Sequence, residues 1–240
     1  MKAMILAAGI GSRLKPITNE IPKALVEVGG KTMLEHSIRH LKHFGFTDII
    51  INLHHFPEQI KEFLEENNHF GVTIHFSEEY DELLDTGGAI KKAAWFFGNE
   101  PFIIYNTDIL TNLNLWVLWN YHIQHDGIAT LVVRKRNSSR YLLFDQNNRL
   151  EGWENVNNDE KKLVNKTSVE KRLAFSGIHL MNPEIFQHFP NQKKFSVIEA
   201  YLDISKQENI YGFQDEQSYW FDVGNLEKLE KAHNFINKKK

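Results

Sequence analysis

Short apolar runs alternate along the first half of the chain with segments whose apolar residues recur every three or four positions. Met4, Ile5, Leu6, Ala7 and Ala8 form one continuous run ended by Gly9, as expected of a strand buried on both faces of a parallel sheet. Leu34, Ile38, Leu41 and Phe44 fall at helical spacing, and Gly45 follows as a stop signal. Residues 48–53 (DIIINL) predict a second buried strand. Pro57 suits the first turn of a helix whose inner face is Ile60, Phe63 and Leu64. Residues 72–76 alternate like a strand, and 88–95 predict a short helix with Thr86 as its N-cap. Residues 102–105 predict another buried strand, with Asn106, Thr107 and Asp108 just past its end. This order implies right-handed crossovers and a parallel sheet covered on both faces. In such sheets ligands bind beyond the carboxyl ends of the strands, where Gly9 and Asp108 both fall.

The second half is less regular. Residues 115–121 predict a helix and 129–133 a strand. Two strands, 141–144 and 150–153, flank Asn147-Asn148 as a hairpin. Residues 155–169 are polar and expected to form a loop. A strand at 175–180, a helix at 197–204, a strand at 210–213 and an amphipathic helix at 226–236 complete the chain. Trp116 and Trp119 lie at helical spacing and are expected in the core. No internal repeat is visible. The fold class expected is α/β: a Rossmann-like, mostly parallel sheet with helices on both faces and a small β insertion, in a single domain over residues 1–240.

Composition narrows the chemistry. The absence of cysteine excludes disulfides, thiolate metal sites and cysteine nucleophiles. A net charge of -3 gives no basic excess, so no nucleic-acid partner is expected. Lys238-Lys239-Lys240 reads as a solvated tail. The run at 4–8 is too short for a signal segment or a membrane span, so no membrane association and a cytoplasmic location are expected. Twelve histidines show no metal-binding spacing, His54-His55 included.

Four segments carry candidate chemistry. Gly9-Ile10-Gly11-Ser12-Arg13 follows a buried strand, and such a turn is either a tight structural bend or a cradle of backbone N–H groups for phosphate. Arg13 adds a forked cation. The spacing is not the dinucleotide fingerprint, because Leu14 stands where a third glycine is needed. Gly30-Lys31-Thr32 mimics the end of a P-loop, but Leu25 occupies its first glycine position, so residues 28–31 read as a turn into the next helix. Lys23, stiffened by Pro22, is near enough in sequence to fold back over Gly11. Asp108 and Asp222 both stand at strand ends, as caps, ion-pair partners or the two carboxylates of a Mg²⁺ site. Asp85-Thr86-Gly87-Gly88 is a glycine-rich helix entry that allows close approach of a flat ligand.

Together these pieces resemble the sugar-1-phosphate nucleotidyltransferases, the nucleoside-diphosphate-sugar pyrophosphorylases. The likeness rests on residues 6–14 (LAAGIGSRL), Pro22-Lys23-Ala24-Leu25, Asn106-Thr107-Asp108, residues 175–178 (FSGI) and Phe221-Asp222-Val223-Gly224. It spans essentially the whole chain. Within the family the chain resembles short bacterial uridylyltransferases of N-acetylmuramate 1-phosphate. The resemblance implies a nucleoside triphosphate (UTP foremost) and a sugar 1-phosphate as partners, Mg²⁺ as cofactor, and a monomer or homodimer. It implies Arg13, Lys23, Asp108 and Asp222 as catalytic, the two aspartates as metal ligands, and a nucleotide site from Leu6, Ala7, Ala8, Gly9, Gly11, Ser12, Arg13, Lys23, Thr86, Gly87, Gly88 and Asn106. Asn106, Arg140, Gly177 and Glu199 are implied for the sugar phosphate. It further implies a nucleotide-binding half at 1–110 and a sugar-phosphate half at 111–240. One departure is the missing lysine of the family's Glu-Lys-Pro segment, near Gly152-Trp153-Glu154-Asn155, for which Arg140 is the candidate replacement. Guanylyl transfer to mannose or heptose 1-phosphate, cytidylyl transfer to a small phosphorylated alcohol, and a non-catalytic nucleotide-sugar sensor stay open.

Overall fold

The structure is a computed structural model that describes residues 1–164 and 169–238. In chain order the elements are β1 (Lys2–Leu6), β2 (Glu27–Val28), β3 (Lys31–Thr32), α1 (Met33–His43), β4 (Asp48–Leu53), α2 (Pro57–Glu66), β5 (Thr73–Glu78), α3 (Asp85–Lys92), α4 (Ala94–Phe97), β6 (Phe102–Asn106) and β7 (Ile109–Thr111). Next come α5 (Leu115–Gln124), β8 (Ala129–Arg134), β9 (Arg140–Phe144), β10 (Leu150–Asn155), β11 (Glu160–Leu163), β12 (Lys171–Met181), α6 (Val197–Ile204), β13 (Ile210–Gln214), β14 (Trp220–Asp222) and α7 (Leu226–Asn237).

Two compact units share these elements. The first comprises Met1–Leu83, Ile104–Leu113 and Ser218–Lys240; the second comprises Leu84–Ile103 and Asn114–Gln217. Strand β6 passes from the second into the first. In the first unit the strand order is β6-β1-β4-β5, with β1, β4 and β5 parallel and in register from Lys2↔Asp48 and Asp48↔Thr73. The expected apolar runs are its interior: Met4, Ile5, Ile49, Ile50, Ile51 and Ile104 are fully buried. Val28, Met33, Leu110, Val223 and Ala232 form a further cluster that draws Phe221, Leu229 and Ile236 onto it. This anchors the C-terminal strand and helix to the N-terminal segment by burial of apolar area. The P-loop mimic is a two-residue turn between the antiparallel β2 and β3, leading into α1, as its glycine spacing predicts.

In the second unit β12 pairs antiparallel with β8 and β9, β9 with β10 and β10 with β11, while β13 runs parallel to β8. The Asn147-Asn148 hairpin is the β9–β10 turn. Three expectations are corrected. The polar stretch 155–169 is not a plain loop: residues 160–163 form β11, whose four side chains are all exposed, so its sequence carries no alternation. Residues 165–168 lie outside the described residues, as do the last two lysines of the expected tail. The helix expected at 88–95 is α3 over 85–92, broken at Ala93 before α4. Trp116 is 47% exposed, not in the core; α5 turns Leu115, Leu118 and His122 inward instead. Among the described residues no helix is long and apolar enough to cross a membrane.

Candidate active site

Strand β1 ends at Leu6, and two hydrogen bonds tie down the chain beyond it. Ala7 N–H donates to Asn52 Oδ1 at 2.8 Å, and Asn52 Nδ2 donates to Glu79 Oε1 at 2.8 Å, all of it buried. Past this anchor Gly9, Ile10, Ser12 and Arg13 form an open turn, with Ser12 and Arg13 exposed. Gly11 adopts φ +68°, a left-handed conformation that glycine takes without penalty. Its carbonyl accepts from Leu14 N–H and from Thr18 Oγ1, both at 2.8 Å.

Lys23 crosses this turn. A Cβ on Gly11 would stand 3.0 Å from Lys23 Cβ and 2.9 Å from Thr18 Cγ2, and Lys23 Cδ lies 4.0 Å from the corresponding position on Gly9. The expected fold-back over Gly11 is therefore what the chain does. Lys23 Nζ ends 2.5 Å from Asp108 Oδ2, with the two side chains 18% and 20% exposed.

Asp108 is set by the residue before it. Thr107 N–H donates to the Leu6 carbonyl at 3.2 Å, and Thr107 Oγ1 donates to the same oxygen. That fixes the exit of β6 beside the exit of β1. Strand β7, which the sequence pattern did not reveal, then pairs antiparallel with β14: Asp222 lies opposite Ile109, and Val223 N–H donates to the Asp108 carbonyl at 2.8 Å. Ladder geometry puts the backbones of Asp108 and Asp222 within about 5–8 Å of each other.

Asp222 does not cap α7. Asn225 does, its Oδ1 accepting from Lys228 N–H at 2.9 Å. Asp222 Oδ2 instead pairs with Lys228 Nζ at 2.5 Å. On its other side, a Cβ on Gly224 would stand 2.7 Å from Asp222 Oδ1 and 3.2 Å from Arg13 Nη2. So Arg13 and the Asp222 carboxylate share the space that Gly224 leaves open. Two adjacent carboxylates beside an exposed glycine loop fit Mg²⁺, which takes one or two carboxylates and draws its other ligands from water and phosphate. Among the described residues no group of three or more His, Asp or Glu side chains could hold a metal. Asn106, half-buried, closes β6 next to this cluster.

The remaining candidates belong to the second unit. Gly87 and Gly88 donate their N–H groups to the Phe195 carbonyl at 2.9 and 3.3 Å. A Cβ would meet Phe195 Cε2 at 2.3 Å from Gly87, and the Lys193 carbonyl oxygen at 2.1 Å from Gly88. Glycine is thus required at both by close packing of α3 on the segment before α6. Thr86 is not the N-cap of α3, a correction: it lies inside the helix, and its Oγ1 accepts from Val197 N–H at 3.0 Å, at the start of α6. Gly177 sits in the irregular stretch of the β12–β8 pairing between Phe175 and His179. Arg140 is exposed at the start of β9, opposite Asn155 on β10. Glu199 is exposed on α6 and pairs with Lys162 Nζ at 3.3 Å.

Buried imidazoles lie elsewhere. Burial pulls His40 down to about 4 despite the Leu113 carbonyl it meets at 2.9 Å. His179, wholly buried against Tyr201, is pulled down to about 3.

The sequence matches the family described as nucleotidyl transferase over residues 2–239. The chain is 32% identical over 234 residues to a mannose-1-phosphate guanyltransferase of Kluyveromyces lactis, a match covering 93% of this chain and 61% of that protein; the chain thus spans about three-fifths of that relative. It is 29% identical over 238 residues to an N-acetylmuramate alpha-1-phosphate uridylyltransferase of Neisseria meningitidis serogroup B, covering 97% and 96%. A UDP-glucose pyrophosphorylase solved with UDP-glucose shares the fold, with a TM-score of 0.78 at 18% identity over 100% of this chain and 99% of that one.

Proposed function

The chain belongs to the nucleotidyl transferase family, and from that premise we propose that it is a magnesium-dependent sugar-1-phosphate nucleotidyltransferase. A phosphate oxygen of the sugar 1-phosphate attacks the α-phosphorus of a nucleoside triphosphate. A new O–P bond forms, the bond from the α-phosphorus to the β-phosphate bridge breaks, and pyrophosphate leaves with its electron pair. The attacking oxygen is already anionic, so no general base is needed. Positioning and charge neutralisation supply the acceleration.

The observation that supports this most is the Lys23–Asp108 pair laid across the glycine turn, with Asp222 and Arg13 beside it. The backbone N–H groups of residues 9–13 and the Arg13 guanidinium are assigned to the β- and γ-phosphates. Lys23 serves the α-phosphate, where negative charge builds. Asp108 and Asp222 would hold Mg²⁺, which when bound screens the repulsion between the two polyanions. Leu6, Ala7, Ala8, Ser12 and Asn106, with Thr86, Gly87 and Gly88, are assigned to the nucleoside; Arg140, Gly177 and Glu199, with Asn106, to the sugar phosphate. The halves 1–110 and 111–240 are proposed to divide nucleotide from sugar-phosphate binding.

For substrate, UTP with N-acetylmuramate 1-phosphate or a related hexosamine phosphate is favoured by the likeness to the neisserial uridylyltransferase across almost its whole length. GTP with mannose 1-phosphate is the second reading, favoured by the higher identity to the yeast guanyltransferase. Pyrophosphate release, screened for four nucleoside triphosphates against a panel of sugar 1-phosphates with Mg²⁺, tests both. Release with UTP and an N-acetylated hexosamine phosphate supports the first, release with GTP and mannose 1-phosphate the second. No release with any pair overturns the proposal.

A further inference from the structure

The two carboxylates proposed to hold the metal are already engaged by lysines. Lys23 Nζ holds Asp108 Oδ2, and Lys228 Nζ holds Asp222 Oδ2, each at 2.5 Å. Lys23 has a place in the proposed reaction; Lys228 has none. Its position is nonetheless fixed. Asn225 caps α7 by binding Lys228 N–H, and side chains at a helix start lean back towards the N-terminus, here onto the end of β14. The ammonium sits on a flexible four-carbon stem, and the pair is more open to water than Lys23–Asp108, with Lys228 41% exposed.

We propose that Lys228 is an exchange cation of this site: it occupies Asp222 until a divalent metal arrives, and the metal binds only as the ammonium withdraws. This rests on the metal reading of Asp222 given above. The charge arrangement carries the inference. Arg13, Lys23 and Lys228 set three cationic groups around two carboxylates. A bare dication must displace two ammonium groups and then face all three positive charges. A polyphosphate accompanying the dication gives the displaced lysines an anion to turn to. Lys228 therefore holds down metal affinity in the absence of nucleotide, and acts on the metal through Asp222 as a positioning residue.

The test is a titration of the full chain with Mn²⁺, without nucleotide, reading free Mn²⁺ by electron paramagnetic resonance. Lys228→Met should bind Mn²⁺ about three- to fivefold more tightly than the parent, the upper part of the range for a released surface ion pair. Lys231→Met is the control: its lysine lies on the same helix and pairs with Glu227 at 2.5 Å, so its affinity should stay within about twofold of the parent's, as should that of Lys228→Arg. Equal affinity of Lys228→Met and Lys231→Met overturns the proposal, as does failure of both to bind at millimolar Mn²⁺. Asp222→Asn separates the two levels. If it binds Mn²⁺ as the parent does, the metal reading itself fails. If it loses Mn²⁺ while Lys228→Met gains nothing, the exchange alone fails.

Discussion

Replacing Lys23 by Met removes one ammonium and keeps most of the apolar stem that crosses Gly11. In stability the loss is the Lys23–Asp108 pair. Both side chains are about four-fifths covered, so the pair lies above the 0.2–1 kcal/mol of exposed pairs and well below its gross Coulomb attraction. The expected cost is about 1–2 kcal/mol, or a Tm lower by about 2–8 °C for a chain of this length. In turnover the loss is a charge placed where the transition state becomes more negative. Such contacts contribute about 3–4 kcal/mol to the barrier, so kcat should fall roughly a hundredfold or more. The KM for the triphosphate should change much less, because the glycine-loop amides and Arg13 remain. Continuous pyrophosphate release gives kcat and KM, and a thermal melt of the same sample gives Tm. A kcat within about threefold of the parent's, or a Tm loss above about 15 °C, would refute the assignment of Lys23 to the reacting phosphate.

Four further outcomes are expected. Asp108→Asn should abolish Mg²⁺-dependent pyrophosphate release while the far-ultraviolet circular dichroism stays that of the parent; retained turnover removes Asp108 from the metal. Gly11→Ala forces a left-handed alanine and a 3.0 Å contact with Lys23 Cβ, so denaturant titration should show a loss of about 1–2 kcal/mol together with lower kcat. Gly88→Ala would ordinarily favour a helix by up to about 1 kcal/mol, but its Cβ would stand 2.1 Å from the Lys193 carbonyl; the Tm should fall, and a rise would show that α3 can shift. His40 and His179 titrate near 4 and 3 when folded and near 6.5 when unfolded, so between those values the unfolded chain binds more protons. Stability is then fully present above about pH 6.5 and lost as pH falls towards 4, by on the order of 3 kcal/mol for His40; a flat urea-midpoint profile over that window contradicts it.

Much of the first unit is legible in the sequence because its strands are buried on both faces, so DIIINL and FIIY announce themselves as apolar runs. The turn at Gly9 and Gly11, the return of Lys23 and the placement of Asp108 beyond β6 are legible from spacing. The ladder of β7 on β14 is not, because three residues of each strand give too short a pattern; yet this ladder is what brings Asp222 to Asp108. Thr86 has the sequence context of a cap, while its hydroxyl serves a helix more than a hundred positions away. The pairing of Lys228 with Asp222 spans a strand–helix junction, where an ion pair six positions apart has no local signature. In β11 the polar sequence of a strand with no buried face cannot be told from a loop.

The segment that carries Asp222 and Lys228 docks beside the one that begins the chain, through Val28, Met33, Val223 and Ile236. During synthesis the ribosome delivers the glycine turn, Lys23 and Asp108 long before it delivers Asp222. At roughly 5–20 residues per second the delay is several seconds or more. A nascent chain in that interval holds Asp108 against Lys23 but lacks the second carboxylate, so it carries only half of the proposed metal site until the C-terminal segment has been made.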